Sequence, residues 1–434
     1  APPAVAAALA ASLGALAPSA AAQTPPPFQI QVQYDPFALP PDPTWGETIA
    51  QLTYPPGHGP VSQGYPVAPR PVFITLRGGN SNNLVPGVLS TPILNETIPN
   101  AFGFVSVLCN FPIIDPGEDY QEATDGARLL VQYLRENAPE LNIDPERVFV
   151  QGRSFGAVVG YALALQHDAA DPGAGHPQLA QSSRPDYYAA RFGPSNLTCF
   201  STQVGPWAST MSLFFFPGQA FEDSTPEQRL AESSTWWLLN PQLYGRTETP
   251  PMCIAYFVDH PDVCGETTDV HSGVFGEAMI EAVELYARQT NDPEYLAQLG
   301  TVDQSIFPDP LIGIVEWSVE RLADTYQGLW LAPPSGSVSG PGATVTLNAL
   351  SAEPGGTVSF YAGTQAGNFP IPGCPNMQGE IVDFTLVGTA VADSAGVATL
   401  VLPGNPALLG QDVLFHSVDF ATCLSSNVVV HRWY

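Results

Sequence analysis

The stretch FVQGRSFGAVVG, residues 149–160, constrains this chain most: an apolar run stops at Gly152-Arg153-Ser154-Phe155-Gly156 and then resumes. The β-branched and aromatic residues before the break favour a strand, and AVVGYALALQ after it favours a helix. A chain passing from buried strand to buried helix within five residues must turn sharply, and flanking glycines keep side chains out of that turn. The letters alone carry little weight. With Gly at 39 of 434 positions, chance places a Gly-x-Ser-x-Gly in roughly one such chain in five.

The surroundings carry more. FQIQVQY (28–34) alternates at period two, and TIAQLTYPPGHGP holds a second strand stopped by Pro55-Pro56-Gly57. PVFITLRGGN and FGFVSVLCNFP read as buried strands. DYQEATDGARLLVQYLRENA (119–138) is an amphipathic helix with acids early and Arg late, which suits its dipole. RVFVQ leads into the pentapeptide. Further strands are expected in NLTCFSTQVGPW (196–207) and MCIAYFVDHPD (252–262), and helices at 273–289 and 310–328. Residues 208–250 form an insertion with a capped helix beginning Ser224-Thr-Pro-Glu227. Near-continuous apolar strands alternating with helices predict an α/β fold around a mostly parallel sheet.

Near Leu331 the texture becomes Gly/Ser/Thr/Val-rich with short alternating strands, which predicts an all-β sandwich over 331–434. Residues 1–22, Ala-rich and ending in a small-residue run, read as the remnant of a secretory signal, leaving 23–330 for the α/β domain. No other stretch is long and apolar enough to span a bilayer. The 41 acidic residues face 13 basic ones, all Arg, for a net charge of −28. That balance argues strongly against nucleic acid or an anionic membrane surface as a partner. It suits a saline extracellular setting, or reflects a GC-rich genome.

Six cysteines are compatible with disulfides in an oxidising compartment. Proximity favours Cys253–Cys264 and domain membership favours Cys374–Cys423, which leaves Cys109–Cys199. No Cys/His spacing points to a metal, and no cofactor is expected.

A serine on a sharp strand-to-helix turn stands exposed above the sheet, beside a helix N-terminus that favours developing negative charge. Ser154 is therefore the candidate nucleophile. Two backbone N–H groups must bind the oxyanion: those of Phe155 and, from Arg77-Gly78-Gly79-Asn80, Gly79 with Asn80 next. His167 and His176 come too early to be the base, and His416 and His431 fall in the β-rich region. His271, opening a helix, is the candidate base. Asp262 at the tip of MCIAYFV is the orienting acid, with Asp259 as the alternative. Trp207, Trp236 and Trp237 are expected to wall an apolar acyl pocket.

Through TYPPG, VFITLRGGN, DPERVFVQGRSFGA and TETPPMCIAYFVDHPD, residues 28–290 resemble secreted α/β-hydrolases of the carboxylesterase, dienelactone hydrolase and polyester depolymerase group. The resemblance implies hydrolysis of a small or polymeric ester through an acyl-enzyme. It departs from the group's pattern at Arg77, where many relatives have His, and at Asp259, where Gly is usual. The connection from Asp262 to His271 is also short, lacking the helix and strand that normally intervene. PGGTVSFYAG, GTAVADSAGVATLVLPG and CLSSNVVV resemble β-sandwich modules appended to secreted bacterial proteins, which implies attachment to a surface or polymer. The rival expectations are a serine peptidase of the prolyl-oligopeptidase type and an inactive, hydrolase-like binding or adhesion protein.

Overall fold

The computed structural model describes residues 28–36, 48–55, 58–65, 67, 69–78, 98–109, 120–201, 211–212, 215–258, 261–269, 271–303, 310–325, 329–332, 334–337, 339–340, 342–371, 374, 378–426 and 428–432. Residues 1–22, expected to be a signal remnant, lie outside them.

The first unit is an eight-stranded mixed sheet. Its strands are β1 (Gln29–Gln33), β2 (Ile49–Thr53), β3 (Arg70–Leu76), β4 (Val105–Cys109), β5 (Ile143–Arg153), β6 (Tyr187–Arg191), β7 (Met252–Tyr256) and β8 (Gly300–Asp303), in the order β1-β2-β4-β3-β5-β6-β7-β8. β1 and β2 are antiparallel to their neighbours and the rest run parallel. The central strands read as continuous apolar runs because both faces are covered. On one face Val72, Ile74, Leu76, Val148 and Val150 pack under α1 (Tyr120–Glu136), α2 (Phe155–Leu165) and α5 (Val274–Thr290). On the other, Phe73 and Phe149 meet Leu311, Ile314 and Trp317 of α6 (Pro310–Thr325). Between β6 and β7 lie α3 (Pro226–Ala231) and α4 (Ser234–Leu239). The cap of α3 is Thr225, which exchanges side-chain bonds with Gln228 as a capping box.

One strand is not where the apolar pattern puts it. The sixth strand is Tyr187–Arg191, whereas Leu197–Cys199 form a 3₁₀ turn capped by the Asn196 side chain. Its entry is fixed by Asp186, which accepts Arg135 Nη2 at 3.1 Å from both carboxylate oxygens and the Val148 N–H at 2.8 Å. Leu197, Cys199 and Phe200 are apolar because that turn is buried in the core, not because it is extended.

The second unit, from β9 (Trp330–Leu331), is built of antiparallel sheets. β10 (Ser335–Gly336), β11 (Thr344–Leu350) and β16 (Ala398–Pro403) form one with β9. β15 (Thr385–Val391), β12 (Thr357–Gly363), β17 (Asp412–Asp419), β18 (Leu424–Ser425) and β19 (Val429–Arg432) form another. Val345, Leu347, Phe360 and Phe415 fill the core between them, and Cys374 is bonded to Cys423. Leu350 packs against the core under α6. The charge of Arg70 reaches buried His416, whose pKa burial pushes down to about 3. Arg70 begins β3, so the second unit meets the first at the end of β3 remote from Gly78.

Candidate active site

Ser154 sits between the end of β5 and the start of α2 with φ 54° and ψ −120°, a left-handed backbone that a non-glycine residue adopts only under constraint. The constraint comes from packing. A Cβ on Gly152 would lie 2.2 Å from the Gly156 carbonyl oxygen, and one on Gly156 would lie 2.3 Å from those of Leu76 and Arg77. The turn is thus tight enough to require glycine on both sides. The Ser154 N–H donates to the Arg191 carbonyl at 2.9 Å, and its own carbonyl accepts the Ala157 N–H at 2.9 Å.

The Ser154 hydroxyl and His271 Nε2 are 2.9 Å apart, the separation of a nucleophile and its base. His271 is half-buried. Burial holds its pKa below the ordinary histidine value, the Asp269 carboxylate opposes that, and the Arg153 charge adds to it. The imidazole is therefore neutral at neutral pH and able to accept a proton. His271 lies between β7 and α5, with β8 only later in the chain. A helix, α5, and a strand, β8, follow His271 in the chain.

At the tip of β7 the Asp262 carboxylate accepts the Ser272 hydroxyl at 2.5 Å, one residue from His271. Asp259 lies outside the described residues. Asp269, which the pattern passed over, accepts the His271 N–H at 2.9 Å and places its charge near the ring. The signal for it was local: an Asp two residues before His, the spacing of an Asx turn.

Phe155 opens α2, so its N–H leaves the helix N-terminus beside Ser154. Gly79 and Asn80 lie outside the described residues, but the chain just before them is close: a Cβ on Gly78 would lie 2.7 Å from Ser154 Cβ. Trp207 is likewise outside. Trp237 belongs to the core. It is buried, stacks on Tyr120 at 5.6 Å and donates its indole N–H to the Ala231 carbonyl at 2.9 Å. Trp236 is half-buried against the same core. The aromatic group at the base is instead Phe192, also left-handed at φ 53°, its ring edge-on to His271 at 5.9 Å and 5.2 Å from Phe257. Phe192, Tyr256, Tyr161 and Ser272 line a narrow cleft beside His271.

Two of the expected disulfides are replaced by one. Cys199 is bonded to Cys264, and Cys109 and Cys253 are buried thiols. Sequence proximity misleads because Cys253 lies within β7 and faces the core under α6, while Cys264 lies in an exposed turn. Cys109 ends β4 and faces the opposite core; burial pushes its thiol up to about 12. Among the described residues, no group of three or more His, Cys, Asp or Glu could hold a metal ion, and no helix is long and apolar enough to cross a membrane.

No protein-family model matches the chain, and no curated protein matches it. Solved structures do resemble it. An acetyl ester-xyloside bifunctional hydrolase from Caldicellulosiruptor lactoaceticus is 15% identical, with 70% of this chain and 97% of that one covered and a TM-score of 0.46. A truncated carbohydrate esterase from gut microbiota is 13% identical, covers 69% and 98%, and has a TM-score of 0.49. A propionate-bound thermophilic esterase from the planctomycete Thermogutta terrifontis is 15% identical, covers 70% and 96%, and has a TM-score of 0.42.

Proposed function

We propose that the chain is a serine hydrolase of carboxylic esters, with an α/β-hydrolase domain over 23–330 and an accessory β-sandwich over 331–434. One observation carries the reading: a hydroxyl on a strained strand-to-helix turn lies 2.9 Å from the Nε2 of a half-buried imidazole. Ser154 Oγ attacks the ester carbonyl carbon as His271 Nε2 takes its proton. The oxyanion binds the N–H groups of Phe155 and the Gly78–Gly79 loop. Collapse of the intermediate expels the alcohol, which receives the proton from His271. Water, deprotonated by the same imidazole, then releases the acid and regenerates Ser154. Asp269 stabilises the imidazolium by charge, Asp262 fixes Ser272 beside it, and Asp259 is the remaining candidate for the second ring nitrogen. The two disulfides support an oxidising, extracellular setting.

Hydrolysis of p-nitrophenyl acetate and butyrate tests this. Ser154→Ala and His271→Ala are each expected to lower kcat by about 10⁴-fold or more. Inactive wild type, or full activity in Ser154→Ala, overturns the reading in favour of a binding protein. Comparing Asp259→Asn, Asp262→Asn and Asp269→Asn identifies the orienting acid as the one whose loss approaches that of His271→Ala.

A further inference from the structure

We propose that the Cys199–Cys264 disulfide is a positioning element for the base, doing for His271 what a strand end does for Ser154. The inference rests on the site reading above. Ser154 is held by a strand, a helix and two glycine contacts. His271 lies in neither strand nor helix: it follows β7 and precedes α5, and Phe257, Val258, Val263 and the turn at 264–266 are exposed. An imidazole must stay within about 0.5 Å of its productive place to act on a hydroxyl, so the links that hold the chain on either side of it matter.

The anchor is the 3₁₀ turn at Leu197–Cys199. Leu197 and Cys199 are fully buried, Phe200 nearly so, and the Leu197 N–H donates to Ser233 Oγ at 2.8 Å. From that fixed point three links cross to the segment. Cys199 Sγ is bonded to Cys264 Sγ, the Gly265 N–H donates to the Cys199 carbonyl at 2.8 Å, and the Ser201 N–H donates to the Thr267 carbonyl at 2.9 Å. Phe200 and Thr267 form a parallel bridge. The position is then relayed along the chain. Buried Thr267 accepts the Asp269 N–H on its hydroxyl at 3.2 Å, and Asp269 accepts the N–H groups of His271 on its side chain and of Ser272 on its carbonyl. Core, staple, Thr267, Asp269 and His271 form one continuous path.

The test compares Cys199→Ser/Cys264→Ser with Cys374→Ser/Cys423→Ser, whose bond lies in the second unit. Each is assayed with p-nitrophenyl butyrate well below its melting temperature, after circular dichroism shows it folded. The first variant is expected to lose about ten-fold or more in kcat with KM changed less than about two-fold, because the base is misplaced while binding is kept. The second keeps the wild-type kcat. A stapleless variant that is folded and keeps its kcat overturns the proposal, since a bond serving stability alone would lower only the melting temperature. Should that variant not fold, Thr267→Val decides: a kcat lowered about five-fold or more at unchanged KM supports the relay, and an unchanged kcat overturns it. Ser154→Ala runs in parallel. If it is active, the site reading fails; if it is dead while the stapleless variant works, only the disulfide proposal fails.

Discussion

Replacing Gly78 by Ala puts a methyl carbon 2.7 Å from Ser154 Cβ and 2.8 Å from the Arg153 carbonyl oxygen. Ordinary contact begins near 3.4 Å, so the loop after β3 and the nucleophile must part by about 0.7 Å. Neither side yields easily. Arg153 ends β5 in register with Arg191 of β6, and Ser154 is bonded through its N–H to the Arg191 carbonyl. Forcing such a fit costs about 1–3 kcal/mol in stability. A displacement of that order at reacting atoms costs up to about 10²-fold in rate. The loop that moves also carries Gly79, the expected second oxyanion donor, so the two losses fall on the same step. The expected result is a kcat/KM for p-nitrophenyl acetate lowered about 10²-fold, mostly in kcat, with a melting temperature a few degrees lower. Gly175→Ala, where an added Cβ meets nothing within 4 Å, is the control and should match wild type in both. A folded Gly78→Ala enzyme with wild-type kcat/KM would refute the placement of this loop against the nucleophile.

The pH profile tests the electrostatics of the base. The proposed mechanism needs neutral His271, so kcat/KM is expected to fall with acid at the imidazole pKa, which burial sets below its ordinary value of about 6.5. Arg153→Gln removes a nearby positive charge, makes the imidazolium easier to form and should move the acid limb to higher pH; Asp269→Asn should move it to lower pH. Shifts in the opposite directions, read from kcat/KM between pH 4 and 9, would sink this assignment. Phe192 tests strain. At φ 53°, Phe192→Gly relieves a backbone that Phe192→Ala leaves in place, so in urea unfolding the Gly variant should be more stable than the Ala variant by about 1 kcal/mol, reversing the usual order. Equal stabilities, or Ala above Gly, would show that the position is unstrained.

The elbow was legible because its constraint is local: glycines, a strand and a helix within twelve residues. The histidine that meets the Ser154 hydroxyl could be picked by exclusion, since His167 and His176 come early and no histidine occurs between 272 and 415. What failed was whatever depends on the chain's path. The run NLTCF looked like a strand because burial of a turn and burial of a strand leave the same apolar letters, while YYAAR, the true strand, is unremarkable in hydropathy. Cys253 and Cys264 are near in sequence, but a strand residue points into one face of a sheet, and its partner had already left that sheet. The acid is the same kind of question. At a strand tip the order of acids says little about which carboxylate reaches the imidazole, and Asp262 and Asp269 bind Ser272 Oγ and the His271 N–H respectively.

The charge pattern gives the site a character opposite to that of the chain. A molecule with 41 acids and 13 arginines carries a net charge of −28, which on its own favours a proton on an imidazole and disfavours an oxyanion. Yet Arg153 and Arg191, paired across β5 and β6, flank the elbow, and the first lowers the pKa of His271. At about 8 Å the screening length of physiological salt spans the site but not the molecule. Distant carboxylates are therefore muted where Arg153 is not, and rising salt strips away the unfavourable field before the favourable one. On the proposed reading, the same global charge repels a carboxylate product once it leaves the elbow. A net acidity that argues against nucleic acid as a partner is thus compatible with the proposed ester hydrolysis, whose acid product is an anion.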